Sequence, residues 1–585
     1  MIDYKKNNLV RSTSPYLKQH QYNPIWWQEW SKETLDHARE NNKIIFASVG
    51  YATCHWCHMM AKDVFSNKET AEYLNAYFVS IKIDREQRPD IDAYLMSYIT
   101  SLSGSGGWPL NAFLTPDLKP IYAVTYLPVE SNPNMTGFWE LLKKIRSYYD
   151  EKKNDIGSFS IPHYKEEQKK EEDIINDFYL SFDLKQGGFG LQHKFPSFCS
   201  LLFLLYYYEV KQSAEVKSML ETTLDRIMLG GLHDHLQGGF FRYCVDRAWT
   251  IPHFEKMLYD QALGLWAYSL AYQIFKKDSY RIIAEKIIQC LEESFENNGV
   301  YVSAHDADTE HKEGLTYLWT IDELKNILTA NEYAQFRDVY YISQQGNFEG
   351  KNHLIRHKDS FLPSIENKLL EQRKQRPQPF IDQKILTNWN CLVGIAFVHA
   401  FRYLPEGKRY LDKSNEIMYH LLTRHKSEDK IFHSSCNGTL QNEALFLEDY
   451  GSLLLFMTFL FEETGQYPDE MLEISKDLNR FRSNGHWAGS INNDFLQVQA
   501  SEFDNPAPSA TALVQLALTR KDILDNGSSN KTNFKKPLIN DFYNIAVLIG
   551  NGLFHIRETT QRSEWQKLSV NTFQKTGRIQ GLMQK

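Results

Sequence analysis

The sequence predicts a multidomain chain in which an α/β unit is followed by a larger all-α unit. Three observations carry this. A Cys-x-x-Cys pair, Cys54 and Cys57, lies between an apolar strand-like run, IFASVG, and a helix-like segment. Strand and helix signals alternate as far as residue 149. Beyond residue 179 strand signals nearly vanish, and apolar residues recur at helical spacing in consecutive pairs of segments.

Residues 45–50 form the first strong strand, and the cysteines follow at a helix start. Unpaired backbone N–H groups and the positive end of the helix dipole favour a thiolate at Cys54 there. Cys57, one turn later, is placed to resolve a mixed disulfide, and His55 and His58 flank the pair where they stabilise an anion or shuttle protons. Ser66 and Glu69 have capping-box spacing and predict a second helical piece, SNKETAEYLNAYF. FVSIKID (78–84) reads as a strand and DIDAYLMSYITSL (90–102) as a helix. LNAFLT and KPIYAVTYL read as strands joined by a Pro-Asp turn, and GFWELLKKIRSYY (137–149) as a helix.

The resulting order, β-α-β-α-β-β-α, resembles thioredoxin. Thioredoxin-like proteins carry a cis-proline opposite the dithiol, just before the third of these strands. The resemblance assigns that place to Pro109, after the flexible GSGG at 104–107. One position departs: Ser48 stands six residues before the first cysteine, where thioredoxin has a buried Asp that assists proton transfer.

Other chemistries use the same motif. Cys-x-x-Cys-His also attaches c-type haem, but Met1–Lys18 lacks the apolar core of the export signal that route needs. Structural zinc usually takes two such ligand pairs, and the chain has no second Cys-x-x-Cys. Buried cysteines without a role suit Cys199, Cys290 or Cys391 on apolar helices better than a His-flanked pair. A dithiol–disulfide site is favoured, with no cofactor and no metal expected.

Composition narrows the setting. With 24% charged and 42% apolar residues the chain is a folded protein rather than a disordered one, and 30 Gly with 19 Pro in 585 residues leans helical. A net charge of −8 without a long basic block excludes nucleic acid as the expected partner. No run reaches the roughly 18 apolar residues of a membrane helix; SLLLFMTFLF (452–461) reads as buried core. Seven scattered cysteines are not a disulfide framework. Cytoplasm is the expected location.

The charged stretch YKEEQKKEEDIINDFY (164–179) reads as a solvated linker helix, dividing the chain into 1–163, 164–178 and 179–585. Helical segments then pair: 199–211 with 214–229, 253–275 with 280–297, 385–404 with 408–424, 443–464 with 469–481, and 508–520 with 538–551. A weaker pair lies at 321–329 and 332–341. First members are apolar almost all round and their partners amphipathic, as expected for inner and outer rings of an (α/α)6 barrel. An open α-solenoid would need a fixed repeat period, and the spacing here is irregular.

Polar and aromatic residues cluster just ahead of the inner helices: residues 230–261, SAHDAD (303–308), DQKILTNWN (382–390), LEDY (447–450) and EFDNPAPSA (502–510). Gathered at one mouth of a barrel, they would line a carboxylate-bearing, aromatic-walled cleft fit for a sugar. Paired acids there serve glycoside hydrolysis, and a His with an acid serves epimerisation. The candidates are His253, Glu255, Asp260, Asp306, Asp308, Asp382, Trp389, Glu448 and Asp449. Asp382, Asp504 and Ser509 also suit helix caps. Asp306 and Asp308 point to opposite faces if their segment is extended.

These stretches, with SPYLKQHQYNPIWW (14–27), YATCHWCHMM (51–60), IKIDREQRPDID (81–92), GGWPLNAFLTPDLKP (106–120), GGFG with KFP (187–196) and PHFEKMLYDQA (252–262), resemble the spermatogenesis-associated protein 20 type, or DUF255 (YyaL-like), family. The resemblance implies a thioredoxin-like domain fused to a six-hairpin glycosidase-like barrel, similar in fold to N-acylglucosamine 2-epimerases. It implies architecture more than a reaction. The family usually has Glu where His305 stands and Asp where Gln383 stands, which removes two acids from the sugar cleft.

The expected function is therefore thiol–disulfide exchange with protein thiols or disulfides, Cys54 attacking, Cys57 resolving and Pro109 shaping the groove. A carbohydrate-processing barrel with a sugar ligand, or a non-catalytic binding module, is the alternative.

Overall fold

The computed structural model describes residues 2–133, 135–161, 168–441, 444–483, 485–526 and 541–553. A one-turn helix α1 (Pro15–Gln19), strand β1 (Gln28–Glu29) and helix α2 (Lys32–Glu40) precede the central strand β2 (Ile44–Gly50). Then follow α3 (His55–Asp63), α4 (Lys68–Tyr77), β3 (Phe78–Asp84), α5 (Pro89–Ser103), β4 (Leu110–Leu114), β5 (Pro120–Val124) and α6 (Phe138–Lys152). The sheet order is β1-β3-β2-β4-β5, with the β1–β3 and β3–β2 pairs parallel and the β2–β4 and β4–β5 pairs antiparallel. This is the thioredoxin-like topology. Central strands covered on both faces read as continuous apolar runs. Ile44 and Phe46 pack with Met60 of α3 and Phe138 of α6, while Ile45, Ala47 and Val49 pack with Leu35 of α2 and Leu95 of α5. The Trp108–Pro109 bond is cis.

The start of α4 corrects one expectation. Asn67, not Ser66, is the cap, its side chain accepting from the Thr70 amide at 2.9 Å. The Ser66 hydroxyl instead donates to the Ala61 carbonyl, satisfying the frayed end of α3.

The helical part comprises α7 (Glu171–Ser181), α8 (Phe198–Lys211), α9 (Ala214–Leu229), α10 (Leu258–Phe275), α11 (Asp278–Cys290), α12 (Ile321–Ile327), α13 (Ala330–Val339), α14 (Pro363–Lys374), α15 (Thr387–Tyr403), α16 (Gly407–His420), α17 (Leu447–Thr464), α18 (Pro468–Asp477), α19 (Ala510–Asn526) and α20 (Asp541–Leu548). Helices α8, α10, α15, α17, α19 and α20 pack each against the next, and α20 closes on α8. Among the described residues that is a closed ring of six inner helices. Helices α9, α11, α16 and α18 pack outside α8, α10, α15 and α17. The apolar-all-round sequences belong to the inner helices, as burial on every side demands.

Three expectations change. Helices α19 and α20 are both inner, not an inner–outer pair, and every residue of α20 is buried. Helices α12 and α13 stand outside the ring and share with α14 a satellite core of Leu324, Phe336 and Leu369. Residues 164–167 of the charged segment lie outside the described residues; its remainder is not a solvated linker, since α7 begins at Glu171 and buries Ile174 and Phe178 in the barrel core.

Inner helices α10, α15 and α17 start later than their periodicity indicates, at Leu258, Thr387 and Leu447. The residues just before each pair in small sheets instead: Lys256–Met257 with Ala304–His305 and that with Ile381–Asp382, Lys384–Leu386 with Ser434–Cys436, and Leu445–Phe446 with Ser490–Ile491. These sheets gather the polar loops at one end of the barrel, and the α/β domain covers that end. Among the described residues no helix is long and apolar enough to cross a membrane.

Gly394 of α15 faces the ring of Phe456 on α17, where a methyl group would collide with it. Gly394→Ala is expected to destabilise the chain by about 1–3 kcal/mol through overpacking, read from urea unfolding. Gly157→Ala, where nothing lies within 4 Å, is expected to leave the midpoint unchanged.

Candidate active site

Strand β2 delivers the chain to Cys54, which is the N-cap of α3. Its sulfur is bonded to that of Cys57 and also accepts from the Cys57 amide at 3.3 Å. Helix-end donors aimed at this sulfur would stabilise a thiolate in the reduced form. Cys54 is 3% exposed and Cys57 fully buried. Trp56 between them is half exposed and rests against Tyr126, with ring centroids 5.1 Å apart. Behind the pair, the Ser48 hydroxyl accepts from the buried Lys82 ammonium at 2.9 Å, and Lys82 lies 4.5 Å from the Phe65 ring centroid. Burial pushes Lys82 well below its ordinary pKa.

The charge around the dithiol comes from the barrel. His55 Nδ1 donates to both oxygens of Asp308, at 2.9 and 3.0 Å. His58 lies 3.7 Å from Asp306 and 3.8 Å from Asp308, and its Nε2 donates to the Ala52 carbonyl at 2.9 Å. Burial disfavours a charged His58, but the neighbouring Asp308 and Asp306 carboxylates outweigh it and raise its pKa to about 9. Burial also opposes the Asp308 charge, and the two histidines overcome it, holding that carboxyl well below the usual range. Asp306, with burial dominant, is pushed up to about 6. The Asp308 amide donates to Asp306 Oδ1 at 3.0 Å, a turn that brings both acids to the same side. An extended segment would have separated them.

The residue before Cys54 is held in the same way. Thr53 Oγ1 donates to Glu255 at 2.7 Å, and the Tyr51 hydroxyl to the same carboxylate at 3.3 Å. Arg242 completes this group, 2.9 Å from Glu255 and hydrogen-bonded to Tyr51. His253 Nδ1 donates to Glu313 at 2.6 Å, and its ring lies 6.3 Å from that of His55.

Further along the interface Lys384, fully buried, lies 2.6 Å from Asp84, 2.8 Å from Glu86 and 3.0 Å from Asp382. Burial opposes its charge, and the three carboxylates outweigh burial and hold the ammonium well above its ordinary pKa. His433 Nδ1 donates to Asp449 at 2.8 Å and its Nε2 to the Glu86 carbonyl at 2.9 Å. Against the cost of burial, Asp449 raises His433 to about 9. Glu448 is 3.9 Å from the same ring.

The structure thus brings His253, Glu255, Asp306, Asp308, Asp382, Glu448 and Asp449 to the covered end of the barrel, where they meet the α/β domain or a buried base. Asp382 is not a helix cap; it accepts from the Lys384 amide inside the cluster. Asp260 and Trp389 stand in the first turns of α10 and α15 at the same end. Trp389 stands edge-on to Tyr259 at 4.9 Å. Asp260 lines a cavity of about 440 Å³ with Asp504, Asp541, Phe195 and Phe198. Ser509 caps α19, its hydroxyl accepting from the Ala512 amide, and Asp504 accepts from the Ser509 and Phe542 amides. Sequence reasoning missed Lys82, Arg242, Lys384 and His433 as site residues. Lys82, Arg242 and Lys384 fall within quoted motif stretches, where charge at a strand end was the available signal; nothing marked His433.

The profile of a protein family described as "Protein of unknown function, DUF255" matches residues 6–164. Uncharacterized protein B0495.5 of Caenorhabditis elegans is 33% identical over 595 residues, covering 90% of this chain and 82% of its own length. Spermatogenesis-associated protein 20 of Homo sapiens is 33% identical over 534 residues, covering 78% of this chain and 67% of its own. Among solved structures, cellobiose 2-epimerase from Spirochaeta thermophila DSM 6192 is similar over 64% of this chain and 92% of that one, with 13% identity and a TM-score of 0.43. DsbH Oxidoreductase is similar over 22% of this chain and 85% of that one, with 16% identity and a TM-score of 0.17.

Two stability effects follow from these charges. The folded pKa of His58 lies above its unfolded value, so its stabilisation is fully present below about pH 6.5 and is lost as pH rises through about 9. The chain is expected to lose about 3 kcal/mol from this group between about pH 6 and pH 10 in urea unfolding, with Asp308→Asn removing that part of the decline. Lys384→Met leaves buried carboxylates without their cation and is expected to cost about 3–5 kcal/mol in the same measurement.

Proposed function

The chain belongs to the spermatogenesis-associated protein 20 family, and on that premise we propose that its Cys54–Cys57 pair performs thiol–disulfide exchange. The observation that carries this reading is the bonded sulfur pair at the start of α3, with the Cys57 amide directed at Cys54. Cys54 is the nucleophile. Its thiolate is favoured by the helix start and by the His58 imidazolium, which is one helical turn on and so shares its face of α3. Cys57, without exposed surface, is the resolving thiol, and Pro109 takes the groove position that the thioredoxin-like topology implies. Asp306 and Asp308 are positioning residues: they act on the dithiol by keeping His58 charged.

Carbohydrate chemistry at the barrel end is not proposed. Glu255 is occupied by Thr53, Tyr51 and Arg242, Asp308 by His55, Asp382 by Lys384, and Asp449 by His433.

Alkylation of the reduced protein across pH is expected to give Cys54 a pKa at least about one unit below the free-thiol value of about 8.5, and Asp308→Asn to move it back up. Cys54→Ser is expected to abolish reduction of a small disulfide, and Cys57→Ser to retain one covalently bound thiol by mass. A Cys54 titration at the free-thiol value with no trapped thiol would sink the reading.

A further inference from the structure

Both neighbours of Cys54 are tied to the barrel, Thr53 to Glu255 at 2.7 Å and His55 to Asp308 at 2.9 Å, so the nucleophile lies beneath a roof supplied by the same chain. The Pro109 side is closed as well. The Trp108 ring carries the Arg85 guanidinium at 3.8 Å and the Arg242 guanidinium at 5.6 Å, its Nε1 donates to Asp92 at 2.7 Å, and Tyr51 stands edge-on to it at 5.9 Å. Pro109 itself is buried. An extended peptide entering such a site needs a strand's width beside the proline and free backbone to pair with. Of these groups Arg242 comes from the barrel, and with Glu255 and Asp308 on the residues flanking Cys54 it narrows that space. The open rim is the half-exposed Trp56 edge. Separating the domains to admit a protein would expose Lys384, His433 and Glu255 from their buried partners.

We infer that the exchange partner of Cys54 is a low-molecular-weight thiol or disulfide and not a protein. The inference rests on the exchange reading above and departs from the protein partner expected from the sequence. In the reducing direction the Cys54 thiolate attacks one sulfur of R–S–S–R. The S–S bond breaks with its electron pair on the leaving sulfur, which takes a proton from solvent or His58. Cys57, losing its proton, attacks the Cys54 sulfur of the mixed disulfide. The Cys54–Cys57 bond forms and the second R–SH leaves. The dithiol is oxidised by two electrons, the substrate is reduced to two thiols, and added dithiothreitol restores the dithiol.

The test compares hydroxyethyl disulfide, cystine and insulin as substrates of the full chain with dithiothreitol as reductant. The small disulfides are expected to turn over, with insulin about a hundredfold or more slower because its disulfides cannot reach in-line geometry. Comparable rates on insulin would overturn the substrate class and leave exchange standing; no turnover of any of the three would overturn exchange itself. Size-graded labelling gives a second readout without substitution. Burial raises the pKa of each of the five other cysteines, whereas Cys54 sits at a helix start, so iodoacetamide is expected to label the reduced protein at Cys54, and a maleimide carried on a polyethylene glycol chain to leave it unlabelled. Equal labelling by both reagents would overturn the inference. In Arg242→Ala/Glu255→Ala, which removes both members of the roof pair, the insulin rate relative to hydroxyethyl disulfide is expected to rise about tenfold or more.

Discussion

One buried ammonium sets the geometry of this protein. Lys384, from the short strand that leads into α15, reaches Asp84 and Glu86 of the α/β domain while holding Asp382 of its own loop. Asp84 closes β3 opposite Gly50, and the Arg85 amide donates to the Gly50 carbonyl, so the clamp grips the strand ends beside the loop that carries the dithiol. Asp84 also accepts from the Ser14 hydroxyl at 2.6 Å, which ties in the N-terminal segment. A buried ion group of this kind fixes register more than it adds stability, since its desolvation cost is large. Here the register fixed is that of one domain on another.

The same contact surface explains the character of the site. A dithiol at a helix start has only the helix dipole to stabilise an anion, and that influence falls off within a turn. On the exchange reading proposed above, the barrel adds Asp306 and Asp308, which act on the dithiol indirectly by fixing the charge of His58. A carboxylate placed directly against Cys54 would have repelled the thiolate. With a histidine between them, the acids favour it instead. The barrel is thereby both the cover of the dithiol and part of its electrostatics.

Much of the architecture was legible in the sequence because it rests on local periodicity. Strand β3 runs over the residues its pattern marks, and the closed ring follows from apolar-all-round helices with amphipathic partners. The misreadings have local causes too. Ser66 and Asn67 are adjacent and equally good caps, and only the use of Ser66 by the end of α3 separates them. Helix α20 was paired by proximity in sequence, whereas its burial on all sides places it in the ring. The site was half legible. Its cysteines and histidines form one short motif, but Asp308 lies 253 residues from His55 and Lys384 lies 300 from Asp84. No spacing rule joins residues so far apart. The acids ahead of the inner helices were visible as a cluster, and their partners were not.

That sequence distance gives the protein an order of assembly. A ribosome adds about 5–20 residues each second, so roughly 15–60 seconds separate the emergence of Asp84 from that of Lys384. Through that interval the first domain exists with its acidic edge in water and its cysteines uncovered, open to whatever oxidants and reductants surround the nascent chain. The finished protein closes that window, with Lys384 set against Asp84 and Asp308 against His55.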